Sequence, residues 1–240
     1  MATAAECLKE LVIANRILAH EGVVDAFGHI SVRHPDDPEK YLLSVSRAPE
    51  LITPEDIVEF RLDGEPVNLG DRTPYGERFI HGSIYEKRPD VNSVIHNHSH
   101  EIIPFGVTKT QSLRAIAHVG SVIGVNVDTW DIRDRFGDQT DLLVVNMDQG
   151  YDLAATLGSD RIALMRGHGA VVTGANIREA VMSAVYLQVN AKLQMQALQL
   201  GEPTYLSEGE VASTFKRQMS PLGLDRAWEY WVVRSGCATM

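Results

Sequence analysis

The spacing of apolar residues divides the chain into helices and strands along most of its length. From Ala4 to about His20, apolar side chains recur at the period of a helix that packs one face on a core. Residues 177–200 repeat this pattern without glycine or proline, which predicts a long amphipathic helix. Further helices are predicted over residues 77–88, 101–107 and 148–157, and in a C-terminal tail that begins with a cap at Ser207.

Runs rich in β-branched residues predict strands between these helices. The clearest run extends from Ser93 to His100; it begins apolar and ends with histidines at alternate positions. Alternate side chains of a strand share a face, so His96 and His98 are expected to point the same way. Residues 111–124 have a mixed pattern, and residues 130–136 are interpreted as a charged loop. Other strands are predicted over 26–33, 41–45, 57–62, 161–165 and 170–173.

Composition adds limits on the class of protein. The 240 residues carry a formal net charge of −10 and no run of Lys or Arg, so nucleic acid and anionic membranes are not expected partners. No apolar run approaches the length of a membrane span, and the charged N-terminal stretch does not resemble a signal peptide. Cys7 and Cys237 suggest no disulfide framework. We expect a cytoplasmic single domain over 1–240, with a helical tail over about 205–240.

Several residues could form a metal site. Two imidazoles side by side at a strand end, His96 and His98, supply half of a site for a divalent cation. Glu77 opens a predicted helix, where the helix dipole alone would explain a carboxylate. His168 has a glycine on each side, which lets the backbone approach closely and uncovers the imidazole. Three imidazoles and a carboxylate would make a catalytic type of site for zinc or a similar ion.

These features occur in the order seen in the class II aldolase/adducin family, which the chain resembles over roughly residues 5–200. The resemblance implies an α/β (α/β/α) fold with a central, mainly antiparallel sheet flanked by helices. It also implies a homo-oligomer, usually a cyclic tetramer, with active sites at subunit interfaces. The motifs that carry it are Gly28-His29-Ile30-Ser31-Val32-Arg33, Ile52-Thr53-Pro54, Glu77, Arg88-Pro89-Asp90, His96-Asn97-His98 and Gly167-His168-Gly169.

The same resemblance implies the ligands of the metal. One divalent ion per subunit, Zn²⁺ or Mn²⁺, would be held by His96, His98, His168 and Glu77. The resemblance also implies that Glu77 acts as an acid or base once substrate displaces it from the metal.

Departures from the family pattern bear on the substrate. Sugar-phosphate aldolases of this family hold phosphate with an Asn after the first glycine, a Thr-Gly pair in the next loop and a Ser-Ser pair before the Glu. This chain has His29, Arg47-Ala48-Pro49 and Tyr75-Gly76 there. Two sets of hydroxyl and amide donors are missing, which disfavours a sugar-phosphate aldolase or epimerase. Where such aldolases often carry a protonating tyrosine, this chain has His118.

What remains resembles the family's decarboxylases of hydroxylated aromatic or pyridine carboxylic acids, such as hydroxy-methylpyridine-dicarboxylate and dihydroxyphthalate. We therefore expect a divalent-metal-dependent decarboxylase with a metal-stabilised enolate intermediate and a small carboxylate substrate. Proton transfer would fall to Glu77 or His118. An arginine such as Arg47 suits a planar carboxylate through paired hydrogen bonds. The residues expected to bind substrate are His29, Ser31, Ser44, Arg47 and Tyr75.

Two alternatives stay open at this stage. A class II aldolase acting on an unphosphorylated hydroxy-acid or hydroxy-aldehyde would share the metal chemistry; release of aldehyde instead of carbon dioxide would identify it. A non-catalytic, adducin-like interaction domain belongs to a different class. A scaffold has no reason to keep four converging ligands, and a metal assay on purified protein would separate that alternative.

Overall fold

In the computed structural model, which describes residues 3–240, eight strands form one sheet with helices on both of its faces. The strands are β1 (His29–Arg33), β2 (Lys40–Ser44), β3 (Ile57–Arg61), β4 (Ser93–Asn97), β5 (Leu113–Arg114), β6 (Asn126–Trp130), β7 (Ile162–Met165) and β8 (Gly169–Gly174). The helices are α1 (Ala4–His20), α2 (Arg78–Lys87), α3 (Ile103–Val107), α4 (Arg133–Phe136), α5 (Met147–Leu157), α6 (Ile177–Leu200), α7 (Glu208–Gln218) and α8 (Pro221–Arg234).

The order of strands across the sheet is β3-β2-β1-β4-β8-β7-β6-β5. Among these neighbours only β6 and β7 run parallel, and every other pair is antiparallel. The expected mainly antiparallel sheet is therefore confirmed. In the centre, β4 lies between β1 and β8, and His29 of β1 is directly opposite His96 of β4.

Alternation along the strands creates a hydrophobic core on each face of the sheet. Ile30, Ile95 and Val172 contribute to one core, together with apolar residues of α1 and α6. Val94 and Val171 contribute to the other, together with residues of α2 and α5. The two cores give the three-layer α/β/α arrangement that the resemblance implies.

The long helices begin and end where their patterns predict. Thr3 forms a capping box with Glu6 at the start of α1, and α6 covers the full predicted segment after the cap residue Asn176. Ser207 caps α7 as expected. In the tail, Trp228 and Trp231 of α8 are buried in the same core as α1 and α6.

The prediction for residues 130–136 was wrong in part. Trp130 ends strand β6, and residues 133–136 form the short helix α4. Strand β6 escaped prediction because only Val127 and Trp130 are buried, while the three residues Asn126, Asp128 and Thr129 are exposed. A strand with this irregular burial lacks the alternation by which half-buried strands are recognised.

Two smaller observations complete the fold. Cys7 and Cys237 are both buried as free thiols. Within residues 3–240 the structure contains no helix with the length and apolar character needed to traverse a bilayer.

Candidate metal centre and adjoining cavity

The four predicted metal ligands converge at one end of β4. The Nε2 atom of His98 lies 2.9 Å from that of His96 and 3.0 Å from that of His168. One carboxylate oxygen of Glu77, Oε2, lies 3.3 Å from His96 Nε2 and 3.6 Å from His168 Nε2. One donor atom from each residue lies within 4.8 Å of all the others. This group is called the ligand cluster below.

Backbone geometry brings these side chains together from distant parts of the sequence. His96 belongs to β4, and His98 follows directly after that strand ends. Glu77 is the residue that precedes the first turn of α2. His168 lies in the turn between β7 and β8, so the cluster combines one helix start with the ends of adjacent strands.

Glycine is required on each side of His168 for a different physical reason. Gly167 has a φ of +66°, a conformation that other residues rarely adopt. A Cβ atom at position 169 would lie 1.9 Å from the carbonyl oxygen of Asn97 in the neighbouring strand. The close backbone approach that the sequence pattern suggested therefore occurs at Gly169, whereas Gly167 supplies the turn.

Hydrogen bonds from the second ring nitrogens set the tautomers of two histidines. The Nδ1 atom of His96 is 3.2 Å from the Ala170 carbonyl oxygen, and that of His168 is 2.9 Å from the Leu142 carbonyl oxygen. A carbonyl oxygen only accepts, so both Nδ1 atoms carry the proton when the rings are neutral. Each Nε2 atom then presents a lone pair to the cluster, as in metal-ligating histidines.

The loop over residues 141–145 contacts two members of the ligand cluster through its backbone. Leu142 receives the hydrogen bond from His168, and the Val144 N–H donates to Glu77 Oε1 at 3.1 Å. The sequence gives no signal for this role, because both contacts use main-chain atoms. From the side chains alone these residues read only as a short apolar run.

The surroundings of the cluster shift the pKa values of Glu77, His98 and His168. Burial by itself would raise the pKa of Glu77, but the His96 and His168 side chains and a backbone N–H outweigh burial and lower this pKa to about 2. Burial and the neighbouring imidazoles lower the pKa of His98 to about 4 and also lower that of His168.

A divalent cation fits this donor set. The Nε2 lone pairs of His96 and His168 both face His98 Nε2. A single proton on His98 Nε2 could pair with only one of these two lone pairs, whereas a cation could bind both. An ionised carboxylate lies beside them. Three neutral imidazoles and one carboxylate are ligands suited to zinc and to several other divalent ions.

A cavity of about 350 Å³ opens beside the ligand cluster. Its volume lies within the range of small-molecule sites, and two aromatic side chains, Phe27 and Tyr75, form part of its wall. This space is called the site cavity below. Its wall consists of Ala26, Phe27, Gly28, His29, Ser46, Arg47, Ala48, Tyr75, Gly76, Glu77, His98 and Leu143.

Three of the five residues predicted to bind substrate line the site cavity: His29, Arg47 and Tyr75. The Tyr75 ring packs against that of His29, with centroids 4.5 Å apart, and its hydroxyl donates to the Arg47 carbonyl. Arg47 Nη1 lies 2.8 Å from an oxygen of Asp56, and its side chain remains 45% exposed. Its guanidinium can therefore still reach a ligand.

Ser31 and Ser44, also predicted to bind substrate, are not among the residues that line the site cavity. Both are fully buried. Ser31 shares a strand face with His29, as predicted, but helix α2 covers it and its hydroxyl contacts side chains of that helix. Ser44 Oγ has no hydrogen-bond partner among the described residues.

His118 also lies apart from the ligand cluster. It begins a 3₁₀ helix over residues 118–123, and its Nδ1 atom accepts from Gln218 Nε2 at 3.0 Å. It lines a different cavity, of about 540 Å³, formed with residues of α6, α7 and α8. Within one chain the structure therefore does not bring His118 together with Glu77.

Two buried polar residues of α2, His81 and Tyr85, had no predicted role at the site, although Tyr85 belongs to the face of this helix that the sequence pattern buries. His29 Nδ1 lies 2.6 Å from His81 Nε2, and His81 Nδ1 lies 2.6 Å from Ser31 Oγ. The Ser31 hydroxyl is in turn 2.7 Å from the Tyr85 hydroxyl. The sequence does contain a signal for both: they are four residues apart, and each follows an apolar residue, Ile80 or Ile84, that would form the buried face of the helix.

Solved structures agree with this fold. L-Fuculose 1-phosphate aldolase from Glaciozyma antarctica has a TM-score of 0.77 and 22% identity, covering 98% of this chain and 94% of its own. An aldolase II superfamily protein from Pseudomonas syringae has a TM-score of 0.81 and 20% identity, covering 100% of this chain and 95% of its own. At these identities the likeness concerns the fold alone.

Sequence relatives include decarboxylases. Decarboxylase tropJ of Talaromyces stipitatus is 34% identical, over 90% of this chain and 89% of its own length. A 3,4-dihydroxyphthalate decarboxylase of Arthrobacter keyseri is 26% identical, over 83% of this chain and 82% of its own length. The sequence profile of the Class II Aldolase and Adducin N-terminal domain matches residues 9–195. The chain therefore belongs to the class II aldolase and adducin family.

Proposed function

We propose that this protein is a divalent-metal-dependent decarboxylase of a hydroxylated aromatic or pyridine carboxylic acid. The observation that carries the proposal is the site cavity, which joins a four-residue ligand cluster to a wall containing two aromatic rings and a guanidinium. The decarboxylases among the relatives support the same reaction class.

The ligand cluster would hold one divalent ion, Zn²⁺ or Mn²⁺, through His96, His98, His168 and Glu77. When bound, such an ion would stabilise negative charge as it develops on an oxygen of the substrate. The second-nitrogen hydrogen bonds of His96 and His168 orient the ligands in advance.

Other side chains would position the substrate. Arg47 can bind a carboxylate that points towards the open side of the cavity, and Tyr75 offers its ring face to the aromatic ring. In the reaction a proton would first be added to the ring carbon that carries the carboxyl group, which turns the ring hydroxyl side into a ketone-like form. The bond to the carboxyl carbon would then break, carbon dioxide would leave, and the electron pair of that bond would return to the ring and its oxygen as the enolate.

Glu77 is the residue best placed to move that proton. Of the two residues predicted for proton transfer, Glu77 lies in the cavity wall and His118 does not. The geometry within one subunit therefore supports Glu77 for this role. A role for His118 stays a prediction, and it would require that His118 reach the site cavity of a neighbouring subunit.

We further propose a homo-oligomer, with the tetramer as the expected form, located in the cytoplasm. Helix α8 supports association, because Leu222, Tyr230 and Val233 leave between 56% and 80% of their surface exposed. Exposed apolar side chains close together are typical of surfaces that bind another chain. Light scattering on the purified protein measures the assembly directly.

A product assay tests the proposed reaction. Protein loaded with Zn²⁺ or Mn²⁺ is incubated with 3,4-dihydroxyphthalate or with a hydroxypyridine dicarboxylate, and carbon dioxide is measured. We expect metal-dependent release, with no release by His98→Ala. Aldehyde release from an unphosphorylated hydroxy-acid, without decarboxylation of either probe, would favour the aldolase alternative. Purified protein that binds no divalent metal would contradict the proposal.

A further inference from the structure

We infer that a buried chain of hydrogen bonds from Tyr85 through Ser31 and His81 makes His29 a hydrogen-bond donor towards the site cavity. The substrate would then have to place an acceptor, such as a carboxylate or phenolate oxygen, beside His29. The identity of the substrate rests on the proposed function, whereas the direction of the chain follows from the protein alone.

The four residues form a continuous path sealed from solvent. His29 is 3% exposed, Tyr85 is 1% exposed, and His81 and Ser31 are fully buried. The three successive contacts measure 2.6, 2.6 and 2.7 Å, all within hydrogen-bond distance. Each contact contains one proton, so the direction of the first hydrogen bond determines that of the others.

Tyr85 sets the direction because its hydroxyl must donate. Burial raises the pKa of Tyr85, so the hydroxyl keeps its proton. In residues 3–240 the Ser31 oxygen is the one acceptor within hydrogen-bond distance of that proton. The opposite direction would leave the Tyr85 proton buried without an acceptor, which costs about 1–3 kcal/mol.

The remaining protons follow in order. Ser31 already accepts from Tyr85, so its own hydroxyl proton goes to its other partner, His81 Nδ1. Burial lowers the pKa of His81 to about 3, so the ring is neutral. Because its Nδ1 atom accepts from Ser31, its single proton lies on Nε2. That proton is donated to His29 Nδ1. A neutral His29 must then carry its proton on Nε2.

The site cavity consequently has two chemically different sides. Glu77 and His98, which line the cavity, belong to the ligand cluster, whereas the lining residues His29 and Arg47 carry N–H groups, that of His29 on Nε2 by the argument above. A site built to donate hydrogen bonds rejects a ligand that offers only another donor, because a buried polar group is left unpaired. His81, Ser31 and Tyr85 act here as positioning residues, since none of them lines the cavity.

The test reads the tautomer of His29 directly. Protein labelled with ¹⁵N-histidine and loaded with zinc is studied by nuclear magnetic resonance without substrate, and the His29 signals are assigned by their loss in His29→Gln. We expect a protonated Nε2 and an unprotonated Nδ1. Tyr85→Phe removes only the terminal hydroxyl and should give a mixture of tautomers.

Two variants serve as controls. Tyr41→Phe removes another buried hydroxyl, which donates to the Arg78 carbonyl and is not part of the hydrogen-bond chain. This variant should leave the His29 spectrum unchanged. His81→Gln can still donate an amide proton to His29 Nδ1 and should retain the wild-type tautomer. By the same reasoning, the Kd for 3,4-dihydroxyphthalate should rise about tenfold in Tyr85→Phe and less than threefold in the two controls.

A His29 protonated on Nδ1 in the wild type would overturn the inference, and so would a Tyr85→Phe spectrum identical to that of the wild type. A changed tautomer with an unchanged Kd would overturn the selection of an acceptor. Because the spectra contain no substrate, failure of every variant to bind or decarboxylate the probe would refute the proposed function and leave the direction of the chain supported.

Discussion

Two groups of histidines meet at this site, and their hydrogen bonds give them opposite properties. In the ligand cluster, His96 and His168 donate from Nδ1 to backbone carbonyls, so their Nε2 lone pairs face a common point. In the buried chain, His81 and His29 bond to each other, so donors alternate with acceptors. The partner of one ring nitrogen therefore decides whether the other is suited to a cation or to a hydrogen bond.

The two groups also depend on different levels of structure. The ligand cluster needs the backbones of two strand ends and a helix start in register, whereas the buried chain needs only one face of α2 packed on β1. Variants that act on backbone geometry should therefore affect the first group, and variants that delete single polar atoms should affect the second.

The largest effect is expected from removing a metal ligand. His98→Ala should abolish metal binding and lower kcat/KM by at least about a hundredfold, because charge on the substrate loses its stabilisation. Metal content by mass spectrometry and carbon dioxide release are the two measurements. His100→Ala is the matched control, since His100 lies two residues further on, is exposed and is absent from the cluster. Wild-type turnover by a metal-free His98→Ala protein would contradict the assignment.

A backbone substitution should come next. Gly169→Ala should lower the free energy of unfolding by about 3 kcal/mol or more, because its Cβ would lie 1.9 Å from the Asn97 carbonyl oxygen and would push β8 from β4. Urea denaturation measures this loss. The control is Gly209→Ala in an exposed turn of α7, where the added Cβ would meet no atom within 4 Å outside the backbone of its own helix. This substitution should be neutral or stabilising. Equal stability of the two variants would show that the strands tolerate separation.

The pH dependence of stability tests the burial of His81. Its pKa is about 3 in the folded protein against 6.5 for an ordinary histidine, so between these values only the unfolded chain takes up the proton. Stability should therefore fall as the pH drops below about 6.5, by about 1.4 kcal/mol per pH unit for this residue.

His81→Gln removes that contribution and leaves the four metal ligands in place, so their contribution is the same in both proteins. The loss of stability between pH 6.5 and 5 should be smaller in His81→Gln than in the wild type by about 2 kcal/mol. Denaturation curves at both pH values measure the difference. Equal losses in the two proteins would mean that His81 becomes charged within the fold.

The smallest effect is expected at the open side of the cavity. Arg47→Ala should raise the KM for 3,4-dihydroxyphthalate about tenfold and change kcat little, because an exposed guanidinium contributes to binding rather than to bond breaking. Arg61→Ala removes a similarly exposed arginine whose ion pair with Asp63 lies outside the cavity, and steady-state kinetics should not change. An unchanged KM in Arg47→Ala would remove Arg47 from substrate binding.

Local patterns along the chain were enough to predict much of the fold. Helices α1 and α6 follow from apolar periodicity and their caps, and the strand around His96 follows from its β-branched run. The motif order also led to four residues that the structure brings within 4.8 Å of one another. These features depend on residues close in sequence or on a recognisable family pattern.

Packing between distant segments decided the rest. His29 and Ser31 share one strand face, yet only His29 reaches the cavity, because α2 covers Ser31. The Leu142 carbonyl orients His168 through the main chain, and His118 belongs to a separate cavity. Strand alternation determines on which side of a sheet a side chain lies. Which helix or loop covers that side depends on contacts between residues far apart in sequence, and those contacts form only in the tertiary structure.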